Sequence, residues 1–243
     1  MKKNRHRPVF YLLYFFYVVY FFCTEINQKY YMPINARESI EKLKSEILTC
    51  QKCADIAALR KTSVPGIGSP KANIIIVSDF PHENGAEKEG IPFTGDESGQ
   101  FIRDIIEEVG LSLDRDTYLT YLVKCTPRKS KSGNGAGGAS GEEKPSAVHI
   151  ENCISYLIQE ISISTPHIIV SLGLDVSNTL LENFFSINKK FTNMEKIHMR
   201  VFENPSFKLV PFFSPHDVKA AKIISEEKYI EDFKSLSKLL KMV

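Results

Sequence analysis

The sequence predicts a three-layer α/β/α sandwich around a central, mainly parallel four-stranded sheet. Two features predict it. Four short runs, 73–79, 117–124, 167–173 and 207–213, read as buried strands apolar on both faces. Longer stretches with apolar residues at helical spacing separate them, and strands alternating with helices build a parallel sheet with helices on its faces.

Taken in order, "RESIEKLKSEIL" places Ile40, Leu43 and Ile47 on one face of a helix. "NIIIVSD" (73–79) is a continuous apolar run and the first strand. "SGQFIRDIIEEVGL" is an amphipathic helix that stops at Gly110. "TYLTYLVK" (117–124) is the second strand, and "SAVHIENCISYLIQEIS" the next long helix. "HIIVSLG" (167–173) is the third strand, followed by a helix over "LDVSNTLLENFF". "FKLVPFF" (207–213) is the fourth, and "EEKYIEDFKSLSKLLK" closes the chain as a helix. Ligands of such sheets bind at the carboxyl ends of the strands. The loops of interest are therefore "SDFPHENG", "CTPRK" and "SPHD".

Two segments stand outside this frame. "RKSKSGNGAGGASGEEKPS" (128–146) holds no apolar residue larger than alanine and reads as a flexible Gly/Ser-rich loop. At the N-terminus a basic "KKNRHR" precedes the apolar run "PVFYLLYFFYVVYFF". That run is short for a membrane-spanning helix, and no small-residue cleavage site follows it. Residues 1–31 therefore read as a mis-assigned start upstream of Met32, as a membrane anchor through 8–23, or as an export signal. Residues 32–243 form one domain.

The 243 residues carry 31 basic and 29 acidic side chains. Lys2, Lys3, Arg5, Arg7 and Lys29 lie within 1–31, against Glu25 alone, so the remainder is slightly acidic. A globally basic nucleic-acid binder is excluded; contact with DNA must use a local patch. Lys124, Arg128 and Lys129 supply one, with Lys131 beyond them.

Five cysteines are present. Cys23 lies in the N-terminal segment; Cys50 and Cys53 form C-x-x-C after a helix, Cys125 ends a strand, and Cys153 sits on a helix. Four thiolates suit tetrahedral zinc and an iron–sulfur cluster equally. A redox or chance pair with two buried thiols is the alternative.

The neighbourhoods "CQKCADIAALRKTSVPGIGSPKANIIIVSD", "GIPFTGDESGQFIRDIIEEVGL", "TYLVKCTPRK" and "IENCISYLIQEISISTPHIIVSLG" resemble the family 4, iron–sulfur uracil-DNA glycosylases. The resemblance runs from about residue 37 to 240. It implies a uracil-DNA glycosylase-like fold, excision of uracil from DNA, and a structural [4Fe–4S] cluster on Cys50, Cys53, Cys125 and Cys153. It further implies that Phe93, in "GIPFTG", stacks on the flipped base.

Around Phe93 the chain departs from the family's pattern. The family's Gly-Glu-Ala-Pro-Gly is here Ser78-Asp79-Phe80-Pro81-His82, which keeps Pro81 and leaves Asp79 as the catalytic carboxylate. Glu83 and Glu87 are the candidates for a second acid. The uracil-reading Asn aligns with Tyr121, which cannot offer an amide's paired donor and acceptor. The family's His-Pro becomes Ser214-Pro215, with His216 two residues beyond Ser214 as the replacement imidazole. The expected function is base-excision repair of uracil in single- or double-stranded DNA, by a cytoplasmic monomer. The alternative is an altered member that binds DNA or another base lesion without excising uracil.

Overall fold

Helix α1 (Ala36–Leu48) forms where the apolar repeat predicts, burying Ile40, Leu43 and Ile47. The computed structural model describes residues 35–128 and 141–240. The expectations for residues 1–31, and those for Lys129 and Lys131, fall outside the described residues. After α1 come the short α2 (Ala54–Ala57) and β1 (Ile67–Gly68), then β2 (Ile74–Ser78), α3 (Ala86–Glu89) and α4 (Glu97–Glu108). Strand β3 (Thr117–Tyr121) and helix α5 (Ala147–Ser164) follow, then β4 (Ile168–Leu172) and α6 (Leu174–Phe185). A 3-10 turn at Met194–Lys196 leads to β5 (Phe202–Glu203), β6 (Lys208–Phe212), α7 (Pro215–Lys219) and α8 (Glu226–Leu240).

The strands form one sheet in the order β1-β3-β2-β4-β6-β5. Its four central strands are parallel, as predicted, while β1 and β5 add antiparallel edges of two residues each. Pairs that short carry no readable periodicity, which is why the sequence shows four strands and the sheet has six. Every residue of β2, β3 and β4 is buried, so both faces are covered. Helix α1 packs on α5, α4 on α7, and α6 on β4.

Strand β3 ends at Tyr121, three residues before the predicted boundary at 124. The chain then bends: Leu122 N–H donates to Ser78 O at 2.7 Å and Val123 N–H to Asp79 O at 2.9 Å. This bend keeps the backbone satisfied while it turns Cys125 away from the sheet. The crossover direction reverses between β2 and β4, since β3 lies on one side of β2 and β4 on the other. That reversal opens a crevice at the carboxyl ends of these strands. Among the described residues no helix is long and apolar enough to cross a membrane.

Candidate active site

A cavity of about 680 Å³ occupies this crevice. Ser78 and Asp79 line it from the end of β2, Tyr121 from β3, Leu172 and Gly173 from β4, and Ser214 to Asp217 from the loop and helix after β6. The "SDFPHENG" and "SPHD" loops thus meet where the sheet geometry predicts.

Asp79 is held in place by its own loop. Its Oδ1 accepts from Ser78 Oγ at 3.1 Å and from Phe80 N–H at 2.9 Å. Oδ2 has no hydrogen-bond partner among the described residues. Pro81 is buried beside it, its carbonyl taking a bond from Thr126 Oγ1 at 2.6 Å, and it does not line the cavity. His82 does line it, with Nδ1 2.7 Å from Glu142 Oε2. Burial works against a charged His82 ring, but the hydrogen bond and charge of Glu142, with Asp79 and Asp96 nearby, outweigh it. They raise the imidazole above its ordinary 6.5.

Phe93 is 2% exposed and has a left-handed φ of 56°, rare for a residue with a side chain. Three hydrogen bonds hold it there. Its N–H donates to Tyr121 Oη at 3.0 Å, and Arg103 donates from Nε to Phe93 O at 2.8 Å and from Nη2 to Pro92 O at 2.7 Å. Gly99 lets the helix approach, because a Cβ there would lie 2.6 Å from the Phe93 carbonyl carbon. The ring of Tyr121 lies flat against that of Phe93, with centroids 5.0 Å apart and planes 7° apart. One face of the expected base-stacking ring is therefore covered by the residue standing where the family's Asn stands. Burial pushes the Tyr121 phenol far up, so it stays neutral.

Neither Glu83 nor Glu87 faces the cavity. Glu87 is buried against Arg128, with Lys61 N–H donating to Oε1 at 3.1 Å, and Glu83 pairs with Arg128 at 3.3 Å. The acids that line the cavity beside Asp79 are Asp96, Glu97, Asp175 and Asp217, none of which the sequence marked as a site residue. Asp96 caps α4, accepting from Gly99 N–H at 2.7 Å. An aspartate at the start of an amphipathic helical run is an N-cap pattern, so a trace of it was present. Asp175 and Lys144, paired at 2.6 Å, also line the cavity and carried no such mark.

After β6, Ser214 caps α7 in a reciprocal box. Its Oγ accepts from Asp217 N–H at 3.2 Å while its own N–H donates to Asp217 Oδ2 at 2.9 Å, and the hydroxyl donates to the same oxygen at 2.8 Å. The hydroxyl proton is thereby committed to Asp217. His216 sits exposed at the cavity rim in the same turn.

Two of the predicted DNA-contacting cations, Lys124 and Arg128, are corrected by the structure. Lys124 is 1% exposed; its Nζ bonds Tyr121 O at 2.7 Å and Glu160 Oε2 at 2.7 Å, with Thr120 Oγ1 completing the set. The bend after β3 turns this side chain inward, where only a buried carboxylate can neutralise it. The guanidinium of Arg128 is also engaged, between Glu83, Glu87 and the Leu59 carbonyl, and its side chain is 5% exposed. Neither is placed to meet phosphates.

The four predicted cysteines line a second, small cavity between α1, α2, the bend after β3, and α5. All four are free thiols. Three of the sulfurs take a donor. Arg60 Nη1 reaches Cys125 Sγ at 3.3 Å, Lys124 N–H reaches Cys153 Sγ at 3.3 Å, and Asn152 Nδ2 reaches Cys53 Sγ at 3.5 Å. Among the described residues no three Cys, His, Asp or Glu converge as the ligands of one ion do. Burial pushes the Cys125 thiol up to about 12 and raises Cys153, so thiolates here need added positive charge. Four thiol donors on one cavity, three of them with a polar hydrogen bond, fit a polynuclear cluster held by four cysteines.

Residues 65–234 match the family model of the uracil DNA glycosylase superfamily. The Type-4 uracil-DNA glycosylase of Sulfurisphaera tokodaii is 32% identical over 206 residues, covering 83% of this chain and 85% of that protein. Those of Archaeoglobus fulgidus (27%; 83% and 94%) and Saccharolobus solfataricus (30%; 84% and 87%) align over similar spans. A match over most of both lengths, on the fold just described, settles the relationship: this chain belongs to the uracil-DNA glycosylase superfamily and, within it, to the type-4 uracil-DNA glycosylases.

Proposed function

We propose that the chain excises uracil from DNA by hydrolysing its N-glycosidic bond. The observation that carries this reading is the anchored Asp79 carboxylate, with Oδ2 unoccupied, lining a cavity roomy enough for a flipped nucleotide. A target nucleotide must leave the stack to reach it. As the C1′–N1 bond stretches, the sugar gains positive charge and the base negative charge. Asp79 and Asp96 stabilise the sugar, and Asp79 Oδ2 orients the water that attacks C1′. Phe93 and Tyr121 form a flat aromatic wall for the base, and Pro81 stiffens the loop carrying Asp79. Ser214 holds α7, and with it His216, at the rim.

Cys50, Cys53, Cys125 and Cys153 would hold the [4Fe–4S] cluster. When bound, it supplies a cross-link between chain segments far apart in sequence. Arg60, Asn152 and the Lys124 amide disperse the sulfur charge. We further read the enzyme as a cytoplasmic monomer acting on DNA.

A second reading has one specific observation behind it. Tyr121 covers Phe93, and the pair is nearly fully buried, so uracil has neither an open stacking face nor an amide to read its edge. On that reading the cavity takes a different base, or binds DNA without excision. Release of free uracil from a uracil-containing oligonucleotide, lost on Asp79→Asn while oligonucleotide binding is kept, supports excision. Binding without release by the wild-type protein sinks it.

A further inference from the structure

The cavity is acidic. Asp79, Asp96, Glu97, Asp175 and Asp217 line it, against His82, Lys144 and His216. Carboxylates suit a cationic sugar but repel a base that departs as an anion, so such a site needs a cation beside the leaving group. Lys144 is mostly exposed and tied to Asp175. His216 stands exposed at the rim. His82 differs from both. It follows Asp79 by three residues on the same loop, and its ring packs tilted on Phe80, with centroids 5.2 Å apart.

Its orientation is fixed from behind. Glu142 Oε2 holds His82 Nδ1 at 2.7 Å, while Glu142 Oε1 takes the Glu83 N–H. Glu142 is itself positioned by backbone pairing, an antiparallel bridge to Arg128 with Glu143 N–H donating to Pro127 O at 3.1 Å. Arg128 is in turn pinned by Glu83 and Glu87. With Nδ1 engaged by Glu142, Nε2 is the ring nitrogen left without a partner among the described residues. This carboxylate–imidazole pair has no role in the assignments above.

We propose that His82 is a catalytic residue of this site, donating its Nε2–H to the departing base, with Glu142 as the residue that positions it. The role rests on the glycosylase reading. The electron pair of the C1′–N1 bond leaves with the base, and water supplies hydroxide to C1′. The water's proton neutralises the base, so His82 lends charge and a hydrogen bond without being consumed. The groups facing His82 are Glu142, Asp79 and Asp96, all favouring the imidazolium, with burial opposing it.

The test is single-turnover uracil release by the full-length, iron-loaded protein from a single-stranded uracil oligonucleotide, from about pH 5 to 9. Histidine NMR titration runs in parallel on the same proteins. Wild-type release should be fastest with His82 charged and fall as pH rises through a titration above the ordinary 6.5. His82→Gln should lower the plateau about 100-fold and abolish that fall. Glu142→Gln should move both the fall and the NMR titration of His82 to lower pH. A His82→Gln enzyme with wild-type rate and profile overturns the proposal, as does a Glu142→Gln protein whose His82 titrates unchanged. Absence of release by wild type at every pH removes the glycosylase reading itself, and this role with it.

Discussion

Replacing Lys124 with methionine should destabilise the protein strongly, and more at pH 7 than at pH 5. The ammonium is 1% exposed and sits 2.7 Å from Glu160, itself 0% exposed and bonded by Thr120 and Tyr118. Methionine fills the volume of the lysine stem but strands the carboxylate in the interior. Leaving it charged and unpaired costs about 3–5 kcal/mol. The alternative is to take up a proton on folding. For a carboxyl of ordinary unfolded value near 4.3, that costs about 3.7 kcal/mol at pH 7 and about 1 kcal/mol at pH 5. The sign follows: above about 4.3 the unfolded chain releases the proton that the folded variant keeps, so stability is lost as pH rises. At about 2–4 °C per kcal/mol for a chain of this size, the melting temperature should fall by roughly 7–15 °C at pH 7 and about 2–4 °C at pH 5. Thermal scans of wild type and variant with matched iron content read this directly, and an infrared carboxylic-acid band in the variant identifies the proton. Adding Glu160→Gln should remove the pH dependence, because a neutral amide still accepts from Thr120 or Tyr118 and has no proton to take up. Equal deficits at both pH values, or a Lys124→Met protein melting within about 2 °C of wild type at pH 7, would refute the reasoning.

Three further outcomes follow from the geometry. Cys125→Ser should lower iron per protein and bleach the visible absorption, because a buried serine hydroxyl is a poor iron ligand; unchanged iron would remove Cys125 from the cluster. Tyr121→Phe keeps the ring stack but orphans the buried Phe93 N–H, so stability should drop by about 1–3 kcal/mol in thermal or urea unfolding. Ser214→Ala removes the hydroxyl half of the α7 cap, leaves the backbone N–H at 214 on Asp217, and should cost about 1 kcal/mol in the same assay.

The sheet was legible because its four long strands are buried on both faces, and a run such as Ile74–Ser78 has few other ways to be satisfied. The cysteine constellation was legible through the neighbourhoods that resemble the family, since spacing alone left a metal site and a chance pair with two core thiols equally open. The lysine between the strand and Cys125 was misread for a physical reason. A basic residue beside a loop looks solvated, and nothing local announces that Glu160, 36 positions away, turns inward to meet it. Asp96 and His82 became visible only when the sheet brought their loops together. His82 had registered as a departure from the family's glycine, and its carboxylate partner lies 60 residues downstream, inside what read as a featureless polar loop. Pairings of that kind have no sequence periodicity to betray them.

The most direct test of excision itself is uracil release from a single-stranded uracil oligonucleotide by protein purified without oxygen, with iron counted on the same sample and a thymine oligonucleotide as control. The account predicts free uracil, no thymine, and loss of release on Phe93→Ala, because that wall orders the cavity. A protein carrying its full complement of iron that binds the oligonucleotide and frees no uracil would contradict it, and would leave the Tyr121-filled pocket as the mark of a site turned to another base.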